Sequence, residues 1–306
     1  MSYQAKSRSL SVSPPVTPGT HPQRRGLTDR QKGKLLLGGQ YLGLTLWLII
    51  ALLPPLILLA AALNETAMFR SPLALLTMQD FTLNNFITAF NAGDFWFFFR
   101  NSLFIATAAV IISVVVCVPM AYGLTKLRPR VRSSLSFAVL AMRFLPHVVL
   151  ALPLFLIFVN LGLSGSRIGL LLAHLSIHIP FATWMMVGFF ENVPKEMEEA
   201  AIVDGCGPWR LFWSISLPVV RPGLNALAIL VFIMSWNEYL FALFLAGSDA
   251  QPLTVGITRF MGGVEAGAQY GVIAAYASLI VLPVIIFALL ANRYIVTGMT
   301  AGAVKG

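Results

Sequence analysis

The sequence predicts an all-α membrane protein with six transmembrane helices and both termini in the cytosol. Three observations lead there. Charged residues make up 11% of the 306-residue chain, where a soluble domain carries about 25%, and mean hydropathy is +0.81. Such a chain lacks the polar side chains to clothe a soluble fold, while its 22 Phe and 6 Trp are too much apolar mass for disorder. The charges that remain are bunched, leaving six intervals long enough for the roughly 20 residues that cross a bilayer. A net charge of +9 would suggest nucleic acid on a soluble protein. Here the basic residues cluster between apolar runs, so they set membrane topology, with lipid and not nucleic acid as the surrounding partner.

Residues 1–34 form a leader rich in Ser, Pro, Gly and basic residues, read as a disordered cytosolic tail. The transmembrane domain covers 35–292. Its first interval, 35–64 between Lys34 and Glu65, is too long for a signal-peptide core and follows a polar leader. The second is 101–125, between Arg100 and Lys126. The third, 133–166, holds one charge, Arg143. The fourth is 168–190, the fifth is 222–248 with Glu238 inside it, and the sixth is 266–292. Residues 293–306 form a cytosolic tail. The two cysteines, Cys117 and Cys206, make neither a disulfide framework nor a four-ligand zinc site.

Orientation follows from Lys and Arg. One side receives Lys6, Arg8, Arg24, Arg25, Arg30, Lys32, Lys34, Lys126, Arg128, Arg130, Arg132, Lys195, Arg210, Arg221, Arg293 and Lys305. The other receives only Arg70, Arg100, Arg167 and Arg259. Outside, Thr82 is placed to cap a short interfacial helix with Phe86, Ile87 and Phe90 on one face. The Gly-rich stretch 247–267 is expected to dip back toward the membrane. Pro54, Pro55, Pro119, Pro146, Pro153, Pro180 and Pro283 fall inside intervals, and each is expected to kink its helix. That leans toward a moving, cavity-lined protein, with ordinary packing as the alternative.

The cytosolic connector 191–221 is the most informative stretch. Pro194 suits a first helical position, with Glu196, Glu198 and Glu199 in the first turn. Met197, Ala200 and Ala201 share a face, and Gly205 ends the helix. Pro208 opens a second helix with Trp209, Phe212, Trp213 and Ser216 on one face, expected to anchor on the membrane domain, and Pro218 is expected to stop it. Small side chains on the first helix let another surface approach closely. A hairpin packed only on its own bundle is the competing reading.

Glu199-Ala200-Ala201, three residues, Gly205, nine residues, Ile215, one residue and Leu217-Pro218 resemble the EAA motif of ABC importer permeases at every fixed position. Trp236-Asn237-Glu238-Tyr239 and the ending from Gly298 to Gly306 resemble maltose-type sugar permeases, and the similarity runs from about Gln40 to the last residue. The resemblance implies the type I importer permease fold in a bacterial inner membrane. It also implies a second homologous permease subunit, two ATP-binding subunits that hold ATP and Mg, and an extracytoplasmic sugar-binding protein. By the same resemblance, Glu199, Ala200, Ala201, Asp204, Gly205, Ile215, Leu217 and Pro218 in the coupling segment 194–218 dock an ATPase subunit, and the C-terminal tail reaches toward the ATPase dimer interface. Asn237 and Glu238 match a pattern common in such permeases and serve the fold or the gate. His178 departs from it, which makes it a specificity candidate.

No G-x-x-x-x-G-K-[ST], H-E-x-x-H or nucleophile elbow is present, so no cofactor and no enzymatic role are expected of this chain. An ion-coupled secondary transporter or an intramembrane enzyme is the alternative. The former needs intramembrane carboxylates, of which Glu238 is the single example; the latter needs a catalytic constellation. His174 and His178 share a helix face at i, i+4, but nothing nearby completes a metal site. Arg143, His147, Asn160, His174, His178, Asn237 and Glu238 are the intramembrane polar residues. Of these, Arg143, His147, His178, Asn237 and Glu238 are the candidates for the substrate path, with a structural pair of Arg143 and Glu238 across helices as the alternative reading of those two. Two readings of the surplus cations stay open: interhelical hydrogen bonding, or a transported sugar that carries an acidic group.

Overall fold

The computed structural model describes residues 29–64, 80–91, 94–260 and 270–303, with side chains between 37 and 290. Every named element among them is a helix, and β-structure is limited to the isolated bridges Asn64–Phe81 and Gly165–Ala246. The chain divides into two units, residues 1–53 and 54–306.

The first unit contributes most of α1, Asp29–Ala62. The helix starts six residues inside the predicted leader, so 29–34 are helical and not disordered; the rest of the leader, 1–28, lies outside the described residues. Leu37, Tyr41, Leu42, Trp47 and Ile50 expose their apolar side chains. An apolar helix surface of this kind is stable facing lipid and not water.

The second unit is a bundle built on α3 (Phe95–Thr125), α6 (Arg167–Glu191), α9 (Arg221–Trp236) and α12 (Tyr270–Ala303). Cys117, Ala121, Met186, Leu227 and Val231 form a core between α3, α6 and α9. A second core at one end is aromatic: Phe95 meets Tyr276 edge-on, and Trp236 Nε1 donates to the Ile280 carbonyl. The short helix α2 (Asn84–Asn91) joins it with Phe86 and Phe90, while Ile87 is exposed. Thr82 is not the cap expected of it: the Phe86 and Ile87 N–H groups bond the Leu83 carbonyl, and Thr82 Oγ1, one residue earlier, accepts from the Asn84 N–H at 3.1 Å in a turn that leads into the helix. Segment 247–260 packs back onto α3. Asn101 Nδ2 donates to the Asp249 and Gln251 carbonyls, and Ser102 Oγ accepts from the Leu253 N–H. Residues 261–267 of the predicted dipping loop lie outside the described residues.

Among the described residues four helices are long and apolar enough to cross a membrane, and the count reaches six when two bent pairs each supply one crossing. The first pair corrects the reading of 133–166 as one helix. α4 (Pro129–Ala141), with a 3₁₀ turn over Met142–Phe144, meets α5 (His147–Asn160) at 89°. Leu145 at ψ 124° is extended, as the residue before a proline tends to be. Pro146 then caps α5 instead of lying inside a helix. The second pair joins α8, described below, to α9 at 74°. The predicted fifth interval is also interrupted, because α9 ends at Trp236 and α10 (Leu240–Leu245) starts anew. By contrast Pro54, Pro55, Pro119, Pro153, Pro180 and Pro283 lie within unbroken helices. At the far end α12 runs to Ala303, so the predicted tail at 293 begins as continuing helix.

Candidate functional site

The connector between α6 and α9 is two short helices at the end of the bundle. α7 (Lys195–Val203) carries Glu196 and Glu198 in its first turn, with Pro194 one place earlier than expected, at the cap. Its end is a Schellman turn: the Gly205 N–H bonds the Ile202 carbonyl, and the Cys206 N–H bonds the Ala201 carbonyl. Gly205 sits at φ +81°, where a Cβ is strained. Ala201 is buried, whereas Glu199, Ala200 and Asp204 face outward. Met197 and Ile202 are exposed, and Val203 is 86% exposed.

α8 runs over Pro208–Leu211, a π turn at Phe212–Ser216, and Leu217–Val219. Pro218 does not stop it. In the widened turn the Leu217 N–H reaches back five residues to the Phe212 carbonyl, which moves the preceding carbonyls away from the proline ring. Ile215, Leu217 and Pro218 are half-buried. The expectation that both tryptophans anchor on the membrane domain is corrected: Phe212 and Ser216 are buried, but Trp209 is 74% exposed and Trp213 is exposed as well. Only alternate members of that face point to the bundle.

What fastens the connector is a clamp that sequence reading missed. Glu198 Oε1 accepts from Ser216 Oγ at 2.7 Å, and Oε2 pairs with Lys126 Nζ at 2.5 Å. Lys126 Nζ also lies 4.5 Å from the centre of the Tyr122 ring, which packs on Phe190 and Phe212. One carboxylate thus ties α7 to α8 and to the end of α3. Only its first-turn position hinted at this.

The intramembrane polar residues separate into two groups. Glu238 lies in the break between α9 and α10, where its carboxylate accepts from the Phe241 N–H at 3.0 Å and the Ala242 N–H at 3.2 Å. His174 Nε2 is 3.6 Å from Glu238 Oε2, and His174 Nδ1 is 2.8 Å from Ser235 Oγ. All three residues are buried. The alternative of an Arg143–Glu238 pair is not what the structure has: the carboxylate caps α10 and faces His174 instead. His174 and Ser235 complete a cluster that the sequence candidates left out; the i, i+4 spacing of His174 and His178 was the available signal. Asn237 Nδ2 donates to the Ile233 carbonyl one turn back and stays exposed, as does Asn160.

The second group is Arg143, His147 and His178. Arg143 stacks over the Phe181 ring at 4.4 Å, and His147 stacks on Phe241 at 5.4 Å. His178 is fully buried. Among the described residues no three His, Cys, Asp or Glu side chains are arranged to hold a metal ion.

Residues 113–299 match the sequence pattern of the binding-protein-dependent transport system inner membrane component. The chain belongs to this family. The match contains the connector, the Glu238 cluster and every intramembrane candidate. The permease is 31% identical over 88% of its length to an inner membrane ABC transporter permease protein, YcjP, of Escherichia coli, covering 96% of that protein. It is 34% identical over 84% of its length to the trehalose transport system permease protein SugB of Mycobacterium tuberculosis, covering 93% of it. Its fold is also that of a chain in a bacterial ABC transporter that imports the acidic polysaccharide alginate. That likeness has a TM-score of 0.69 at 22% identity, over 88% of this chain and 99% of that one. The protein is thus a multi-pass inner-membrane subunit of an ABC importer, a transport component and not an enzyme.

Proposed function

We propose that this permease moves a sugar or sugar derivative inward by alternating access, driven through its connector by an ATP-binding subunit. The observation that carries the reading is the surface of α7 and α8. Met197, Ile202, Val203, Trp209 and Trp213 present apolar side chains outward, in a connector clamped to the bundle by Glu198. An exposed apolar ridge next to charged residues fits a protein interface, and a clamped one transmits force. Glu199, Ala200 and Ala201 on α7 and Asp204 and Gly205 in the turn that ends it form the docking segment, with Ile215, Leu217 and Pro218 as its support. The other partners are a second, homologous permease subunit, a second ATP-binding subunit and an extracytoplasmic sugar-binding protein. ATP and Mg are held by the ATP-binding subunits. The trehalose relative supports a sugar as cargo.

The test is reconstitution of the permease pair with its ATP-binding subunits and binding protein in proteoliposomes. Sugar uptake that requires ATP hydrolysis is the expected result. Val203→Glu places a charge in the docking surface; it should leave insertion intact but abolish co-purification of the ATP-binding subunit and uptake. Wild-type co-purification and uptake in that variant would remove the proposed interface.

A further inference from the structure

Where the α4–α5 break meets α6 and α9 lies a set of hydrogen-bond donors with no acidic counterpart among the described residues. Arg143 has its guanidinium over Phe181, and both terminal nitrogens find only the thioether of Met234, at 3.9 Å. A thioether is a weak acceptor, and a guanidinium carries five donors. Four residues on, His147 opens α5, half-buried against Phe241. His178 on α6 is 0% exposed, and neither of its ring nitrogens has a partner. Its ring stands perpendicular to that of His174 at 5.8 Å. Phe181, under the Arg143 guanidinium, lies three residues past His178 on α6, and Phe241, under His147, bonds the Glu238 carboxylate that faces His174, so these contacts bring the four into one neighbourhood. The carboxylate that faces His174 is committed elsewhere: Glu238 holds the Phe241 and Ala242 N–H groups.

An uncompensated cation inside a membrane is costly, and such residues mark substrate pathways. The charge balance here is left for something that comes and goes. Stacking on Phe181 fixes the plane of the Arg143 guanidinium, and the fork of a guanidinium matches the two oxygens of an oxyanion. We propose that Arg143, His147 and His178 form a site for the acidic group of the transported sugar, so that the cargo carries a carboxylate, sulfonate or phosphate. This rests on the permease function proposed above. In the conformation described His178 is closed off, and the access cycle opens it to the cargo.

The test uses the complete importer in proteoliposomes. The sugar retained by the cognate binding protein is first identified by mass spectrometry and its charge read by anion exchange. Uptake of that sugar and of a neutralised form, the methyl ester or the desulfonated or dephosphorylated sugar, is then compared, each preloaded on the binding protein. An anionic sugar is expected, taken up at least about tenfold faster than its neutral form. Arg143→Gln and His178→Asn should bring that ratio toward one, with uptake per ATP falling and binding-protein-stimulated ATPase retained. A structural role would lower both forms equally and leave the ratio standing, which overturns the proposal. So does a neutral cargo, or loss of subunit assembly in Arg143→Gln with an unchanged ratio in His178→Asn; the last result would assign the balancing acid to the second permease subunit. Should Arg143→Gln fail to assemble, the ratio in His178→Asn and His147→Asn decides. Absence of ATP-dependent uptake of any sugar is a different failure, that of the permease reading itself.

Discussion

Single residues set the shape of the connector, and each does so through a separable effect. Gly205 at φ +81° would meet nothing within 4 Å if it gained a Cβ, so its requirement is one of backbone conformation alone. Gly205→Ala should cost about 1–2 kcal/mol through left-handed strain, lowering ATPase coupling while the permease still inserts. Gly205→Asp adds a charge at the same place and should act more strongly on co-purification of the ATP-binding subunit. Equal coupling in wild type and both variants would count against a structural need for glycine. Glu238 presents a graded case. Glu238→Ala loses an acceptor for two buried N–H groups and should destabilise by about 1–3 kcal/mol, read as a lower unfolding temperature of the purified complex. Glu238→Gln keeps one acceptor oxygen and should lie between the two. The Gly205 position was legible because a glycine after an amphipathic run has few other uses. The roles of Glu198 and Glu238 were not, because their partners are fixed by packing: Ser216 and Lys126 lie 18 and 72 residues from Glu198.

At the scale of elements, charge spacing located the apolar helices and proline did not locate the breaks. Intervals between charges reflect transfer from water to lipid, a local property of the sequence. A break depends on whether neighbours satisfy the freed carbonyl groups, which is tertiary. Hence Pro119 and Pro180 ride inside continuous helices, while Pro146 ends up between two helices at 89°. The difference is measurable. Phe137 and Leu156 are both exposed, and spin labels there straddle the bend. A straight helix would separate their backbones by about 29 Å, whereas a right-angled break brings them to about 20 Å. The shorter distance is expected in wild type. Pro146→Ala restores an N–H donor and frees Leu145 to become helical, so its distance distribution should broaden toward the longer value. A wild-type distance near the straight-helix figure would remove the bend.

For the whole molecule the open quantity is the number of crossings, four or six, and the connector decides it. Start from a cytosolic leader. With four crossings only α1, α3, α6 and α12 traverse, so the connector after α6 emerges outside and the turn before Arg167 lies inside. With six, the α4–α5 pair and the α8–α9 pair each traverse; the connector is then cytosolic and the turn at Ser164 is external. Both counts put residues near Ala250 outside and Gly306 inside, so reporters at those two places test the cytosolic C-terminus and exclude five crossings without separating four from six. The positive-inside rule favours six, because Lys195, Arg210 and Arg221 flank the connector. An ATP-binding subunit can reach the connector only in that arrangement. The protein carries its own probe: Cys206 is a free, partly exposed thiol beside Gly205, while Cys117 is buried. A membrane-impermeant maleimide should label Cys206 in inside-out vesicles and leave it untouched in intact spheroplasts. A cysteine introduced at Ser164 should show the reverse. Labelling of Cys206 from outside would overturn the six-crossing topology and, with it, any cytosolic docking on Glu199 to Gly205.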